Sequence, residues 1–144
     1  MSGLDLKAIH EALSDQIEAG VDDSGDFSFG AHPMTADRPA IEVWPDTDYI
    51  KYYETSGPDG LSVVNLIIRC FLSGANPESE WLTMCALTSA GTGFGSSIAD
   101  AVMARRDLGG VVATTFVGDA RWDPDEGSID IPVEVRVNKQ GAQT

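Results

Sequence analysis

The sequence predicts an α+β fold: a mainly antiparallel β-sheet with an N-terminal helix and two consecutive helices packed on one face. Three observations lead there. Apolar residues recur at helical spacing near the N-terminus. The longest apolar run, Leu61 to Leu72, is β-prone and covered on both faces. Two capped helical segments follow one another before the chain returns to strand-like alternation.

Leu6, Ile9, Leu13 and Ile17 lie three and four residues apart, the stripe of an amphipathic helix. Ser2 with Asp5 reads as a capping box, and Gly20 ends the helix. Residues 20–38 are rich in Asp, Ser and Gly and read as loop, with Phe27 and Phe29 pinning it or forming a short strand. Ile41-Glu-Val-Trp44 alternates and is expected to stop at Pro45. Tyr49 to Tyr53 is aromatic and β-prone. Thr55 to Gly60 is a turn cluster. Within Leu61–Leu72 the even positions Val64, Leu66, Ile68, Cys70 and Leu72 are all apolar, while the odd face sets Asn65 and Arg69 among apolar neighbours. Cover on both sides predicts a central strand.

Asn76-Pro77-Glu78-Ser-Glu80 starts the next helix with a cap residue, a first-turn proline and first-turn acids. Trp81, Met84, Cys85 and Thr88 share one of its faces. After Gly91-Thr-Gly-Phe-Gly95, Ser97 and Asp100 cap a short helix running to about Arg106, where Arg105 and Arg106 complement its dipole. Gly109-Gly110 stops it. Val111–Val117 reads as a strand. From Ile129 to Asn138 apolar and polar residues alternate strictly, a half-buried strand in which Pro132 favours a sheet edge. The organisation is one domain over residues 1–138, with residues 139–144 as a flexible C-terminal tail.

The chain has 144 residues and can bury a core without disulfides or metal. Its 23 acidic against 9 basic residues give a net charge of −14. Phosphate-gripping surfaces need clustered Lys and Arg, so nucleic-acid binding is not expected. Cys70 and Cys85 sit in apolar runs and read as free thiols in a reducing compartment. No apolar run approaches the roughly 20 residues that span a bilayer. A soluble protein made in a cytoplasm is expected.

The chemical motifs are weak. The Gly91–Gly95 turn lacks the Lys-Ser/Thr of a phosphate loop and follows a helix where a dinucleotide fingerprint needs a strand. Asp119, Asp123, Asp125 and Glu126 lack the closing Glu of a calcium loop and read as a solvated acidic hairpin, as do Asp22, Asp23 and Asp26 for their own loop. His10 and His32 read as surface histidines without spaced partners. No Gly-x-Ser-x-Gly elbow exists. Neither a catalytic set nor a cofactor is expected. Trp122, in the acidic turn, is placed for contact with a partner subunit.

Pro39-Ala-Ile-Glu-Val-Trp-Pro45 and Tyr49–Tyr53, after the N-terminal helix, carry one half of a pattern. Ser89-Ala-Gly-Thr-Gly-Phe-Gly-Ser-Ser-Ile-Ala-Asp-Ala-Val-Met-Ala, Asp107-Leu-Gly-Gly110 and an edge-type final strand carry the other. Over roughly residues 4–138 the chain resembles the tail terminator (head–tail joining) proteins of long-tailed bacteriophages. The Gly-rich turn is longer here than the Ser-Gly that the pattern needs. The resemblance implies a homohexameric ring in the virion. It would cap the tail tube protein, stop elongation and dock the capsid neck or connector protein, with DNA passing through unbound. Another neck or tail-completion component is the nearest alternative. A small cytoplasmic α+β enzyme with an acidic site is the rival of a different class. Candidate subunit or partner contacts are Phe27, Phe29, Asn65, Arg69, Trp122, Asp123, Asp125, Glu134 and Arg136.

Overall fold

The computed structural model describes residues 5–21, 27–32, 40–51, 61–72, 82, 85, 88, 97–123 and 128–138. Helix α1 spans Leu6–Gly20 and buries Ile9, Leu13 and Ile17, the stripe expected from spacing. Its cap is Asp5 itself, whose carboxylate accepts from the Ala8 amide at 3.0 Å. Asp5 therefore acts as the N-cap residue, where the sequence suggested the far end of a capping box. A single carboxylate here satisfies an orphan amide and meets the positive end of the helix dipole.

The fold is α+β as predicted, with a mixed sheet of six strands among the described residues: β1 (Ser28–Gly30), β2 (Ala40–Lys51), β3 (Leu61–Phe71), β4 (Thr114–Val117), β5 (Arg121–Asp123) and β6 (Ser128–Asn138). The order is β1-β2-β3-β6-β4, and β5 also pairs with β6. Among the described residues only β1 and β2 run parallel. β3 is central, between β2 and β6.

Three strand expectations are corrected. β2 does not stop at Pro45 but continues to Lys51, with a register shift between Pro45 and Ile50. β1 pairs only as far as Glu42, so Pro45 lies where a missing amide leaves no strand partner unsatisfied. β4 begins at Thr114 rather than Val111. β6 is interior, with β3 on one flank and β4 and β5 on the other. Pro132 is tolerated because it faces the gap between β4 and β5. Its carbonyl accepts from Gly118 at 2.7 Å there, and a residue's N–H and C=O point to the same flank of a strand. The proline thus lacks a donor only where no ladder partner exists. A Cβ on Gly118 would meet Pro132 Cγ at 2.7 Å, so the close approach requires glycine.

Helix α2 (Ile98–Met103) is capped by Ser97, whose hydroxyl accepts from the Asp100 amide at 3.4 Å. It ends at Met103, short of Arg105 and Arg106. Gln16 of α1 closes it: the two N–H groups of its Nε2 are shared among the carbonyls of Ala101, Val102 and Arg105, at 3.0, 2.7 and 3.0 Å. A side-chain amide from a neighbouring helix thus serves the orphan carbonyls expected to meet arginines. A short 3-10 turn at Leu108–Gly110 reverses the chain with φ values of 51°, 73° and 95°. Glycines suit two of those positions, and the third is held by burial of Leu108 in the core.

α1 and α2 pack together, and Ile9, Leu13, Ile17, Ile98 and Val102 form one core with Ile41, Val43, Leu66, Ile68, Ile131, Val133 and Val135 of the sheet. Leu82, Cys85 and Thr88 are helical, in keeping with the helix expected over 76–90. Trp81, Met84, the Gly91–Gly95 turn, the acids 22–26 and the tail 139–144 lie outside the described residues.

Thr115 is fully buried on β4, opposite Val135, and among the described residues its hydroxyl has no hydrogen-bond partner. A buried unpaired hydroxyl costs about 1–3 kcal/mol. Thr115→Val keeps the shape and removes the polar atom, so equilibrium urea unfolding should show a gain of about 1 kcal/mol. A loss of that size would mean that the hydroxyl is satisfied in solution.

Candidate partner interface

The registers divide the sheet cleanly into two faces, because directly opposed residues point the same way. Val64, Leu66, Ile68 and Cys70 of β3 share the helix-covered face with Ile129, Ile131, Val133 and Val135 of β6. The other face carries the polar positions. Glu42, Arg69, Asp130 and Arg121 form one cross-strand row, and Asn65, Glu134 and Phe116 form another.

Arg69 organises the first row. Its Nε donates to Asp130 Oδ1 at 3.0 Å and its Nη2 to Oδ2 at 3.2 Å, a two-pronged pair that fits guanidinium and carboxylate planes. Asp123 of β5 lies 3.7 Å from Nη2. The guanidinium carbon sits 4.7 Å from the Trp44 ring centre and 5.9 Å from that of Phe71. Trp44 Nε1 in turn donates to Glu42 Oε1 at 2.9 Å, and Glu42 is buried. Aromatic walls limit the water that reaches the pair, so it is felt more strongly than one on the open surface.

The second row surrounds an open groove of about 330 Å³, lined by Asp46, Asn65, Phe116, Val117, Gly118, Pro132, Val133 and Glu134. Asn65 Nδ2 donates to the Asp48 carbonyl at 2.8 Å, serving backbone that the β2 register shift removes from the ladder. Arg136 Nε donates to Glu134 Oε2 at 2.8 Å. The guanidinium carbons of Arg136 and Arg106 lie 5.0 and 4.9 Å from the Phe116 ring centre.

The sequence-selected residues thus fall into distinct places. Arg69 and Asp123 join in one cluster. Asn65 and Glu134 line the groove, and Arg136 borders it. Phe27 and Phe29 are half-buried, 6.5 Å apart between ring centres, and pack against the core beside β2. Trp122 stands on β5 and is about half exposed to solvent. Asp125 lies outside the described residues.

Other contributors were not singled out from sequence. Asp130 and Glu42 meet Arg69 only through cross-strand register. Phe116 and Arg106 meet across the turn that follows α2. His10, expected at the surface, is half-buried: its Nδ1 donates to the Ala31 carbonyl at 2.6 Å, and its Nε2 lies 2.8 Å from the Tyr49 hydroxyl. A carbonyl only accepts, so Nδ1 carries a proton, and in the neutral ring Nε2 accepts from Tyr49. His10 therefore ties α1 to the end of β1 and to β2. His32 is exposed.

Neither cysteine forms a disulfide. Burial, then the nearby Asp130 charge, pushes the Cys70 thiol far above the ordinary thiol range, so it stays protonated at neutral pH. Among the described residues no group of three His, Cys, Asp or Glu side chains is arranged to hold a metal ion, and no helix is long and apolar enough to cross a membrane. Comparison with protein-family models finds no match to this chain, and comparison with curated proteins finds none either.

Proposed function

We propose that this chain is one subunit of a homohexameric tail-terminator ring that caps the tail tube of a long-tailed bacteriophage and joins it to the capsid neck. It would act in the virion after assembly in the host cytoplasm. The observation that carries this reading is Trp122. Its side chain is 51% exposed on a strand held in register by β6, at Ile129. It takes no part in the hydrophobic core of the described residues, so burial there does not account for it. Aromatic side chains on rigid elements are the usual anchors of protein interfaces. The sequence pattern over residues 4–138 supplies the class of partner. The net charge of −14 suits a channel that passes duplex DNA without retaining it, since like charge repels phosphate.

The test is the mass of the native particle, by native mass spectrometry and sedimentation, for the purified chain alone and with isolated tail tubes. A closed homohexamer, formed alone or on the tubes, is expected. In phage lacking the protein, headless tails of abnormal length should accumulate. A strict monomer in both settings, or saturable turnover of a metabolite, would overturn the reading.

A further inference from the structure

We propose that Trp122 of one copy inserts into the groove beside Phe116 of the next, making a head-to-tail contact between copies of this chain. The proposal rests on the ring reading and names the surfaces that would close the ring.

The two aromatic residues point to opposite faces of the sheet. Trp122 is opposed to Ile129, on the helix-covered face, while Phe116 is opposed to Glu134, on the other. β6 runs without a register break from Ser128 to Asn138, so the odd spacing between Ile129 and Glu134 assigns them to different faces. Both aromatics are exposed, Trp122 at 51% and Phe116 at 40%. Patches on opposite faces do not satisfy each other reciprocally in a two-fold dimer. Each copy must meet a different neighbour on each side, which is the heterologous arrangement that closes into rings or runs on as filaments.

The groove fits an indole in size and chemistry. Its volume of about 330 Å³ falls near the small end of ligand pockets, which run from roughly 300 Å³, and its lining includes Phe116, Gly118 and Pro132. Asp46 and Glu134 offer carboxylate acceptors, and a buried indole N–H needs one.

Charge favours the same pairing. Arg106 and Arg136 lie over Phe116 at the groove border, and Glu134 is already matched by Arg136. Among the described residues no carboxylate pairs with Arg106, whose Nε donates to the Thr115 carbonyl at 3.2 Å. The incoming strand brings an acid with its tryptophan: Asp119 is exposed just before β5. A basic border thus receives an acidic group, in a protein where acids far outnumber bases.

The experiment compares full-length wild type with Trp122→Ala, Phe116→Ala and Arg106→Glu by native mass spectrometry and sedimentation, alone and on isolated tail tubes. Circular dichroism and thermal unfolding confirm that each variant is folded. Trp122 and Phe116 are exposed, so their truncation leaves the core intact. Each aromatic truncation should raise the concentration needed for assembly by about thirtyfold or more, as expected for a central anchor. Arg106→Glu reports the charge contribution separately and should also weaken assembly. An equimolar mixture of Trp122→Ala and Phe116→Ala is the decisive sample. Each pair retains one intact contact, so heterodimers should form without closed rings. Wild-type rings with all variants assembling equally well would overturn this contact and leave the ring reading standing. A wild type that never leaves the monomer, even on tubes, would overturn the ring reading and this contact with it.

Discussion

Replacing Arg69 with Met should lower the unfolding free energy by about 2–4 kcal/mol, measured by urea unfolding at neutral pH. The methionine stem keeps contact with Trp44 and Phe71, so the loss isolates the charge. In the wild type the guanidinium is pinned to Asp130 through two bonds of 3.0 and 3.2 Å, with side chains only 20% and 17% exposed. Removing one partner of such a pair strands the other, and breaking a fully buried pair costs about 3–5 kcal/mol. The remaining exposure sets the lower figure here. Asp123, at 3.7 Å from the guanidinium, also loses its cation, so β5 should loosen on β6. The Lys7–Glu11 pair on α1 is the natural control. At 3.3 Å it is comparably short, but its side chains are 83% and 51% exposed, and Lys7→Met should change stability by no more than about 0.5 kcal/mol. Asp130→Asn in the Arg69→Met background should recover part of the loss by removing the stranded charge. A loss under about 0.5 kcal/mol for Arg69→Met would show that solvent screens the cluster.

This cluster also marks the limit of what the sequence discloses. Arg69 drew notice as a charge in an apolar strand. Its partner stands 61 positions away, and only the β3–β6 register brings them together. Features governed by neighbours in the chain were legible: the α1 stripe, the Ser97 cap, the glycine reversal at 109–110 and the two-sided cover of β3. Features governed by what lies across the sheet were not. Pro132 suggests an edge, because a missing amide usually means an absent neighbour. Here the neighbour is absent only locally, at the gap between β4 and β5, and β6 is otherwise flanked on both sides. Pro45 likewise reads as a stop, but β2 passes it where β1 has ceased to pair. The exposure of Trp122 was legible because an indole in an acidic turn lacks local apolar company. The exposure of Phe116 was not, since alternation within β4 looks the same whether a face is covered or open.

The second large effect concerns Gly20, at the end of α1. By propensity alone, Gly20→Ala should stabilise the helix by up to about 1 kcal/mol. The packing reverses that sign. A Cβ at this position would lie 2.7 Å from Ala101 Cβ and 3.0 Å from its Cα, on α2. Neither atom can swing aside, so one helix must shift. α2 is held from below by Ile98 and Val102 in the core and at its end by the Gln16 amide. Overpacking against a braced element costs about 1–3 kcal/mol, occasionally more. The net expectation is a destabilisation of about 1–2 kcal/mol, with the Gln16 bonds to the α2 carbonyls strained by the same shift. Ala101→Gly removes the nearer of the two colliding atoms. In a double-mutant cycle the pair should therefore show a favourable coupling of about 1 kcal/mol, although Ala101→Gly alone weakens α2. Urea unfolding of the four proteins gives the cycle directly. If Gly20→Ala raises stability, α1 and α2 can separate without penalty, and the close contact between them is not what fixes their spacing.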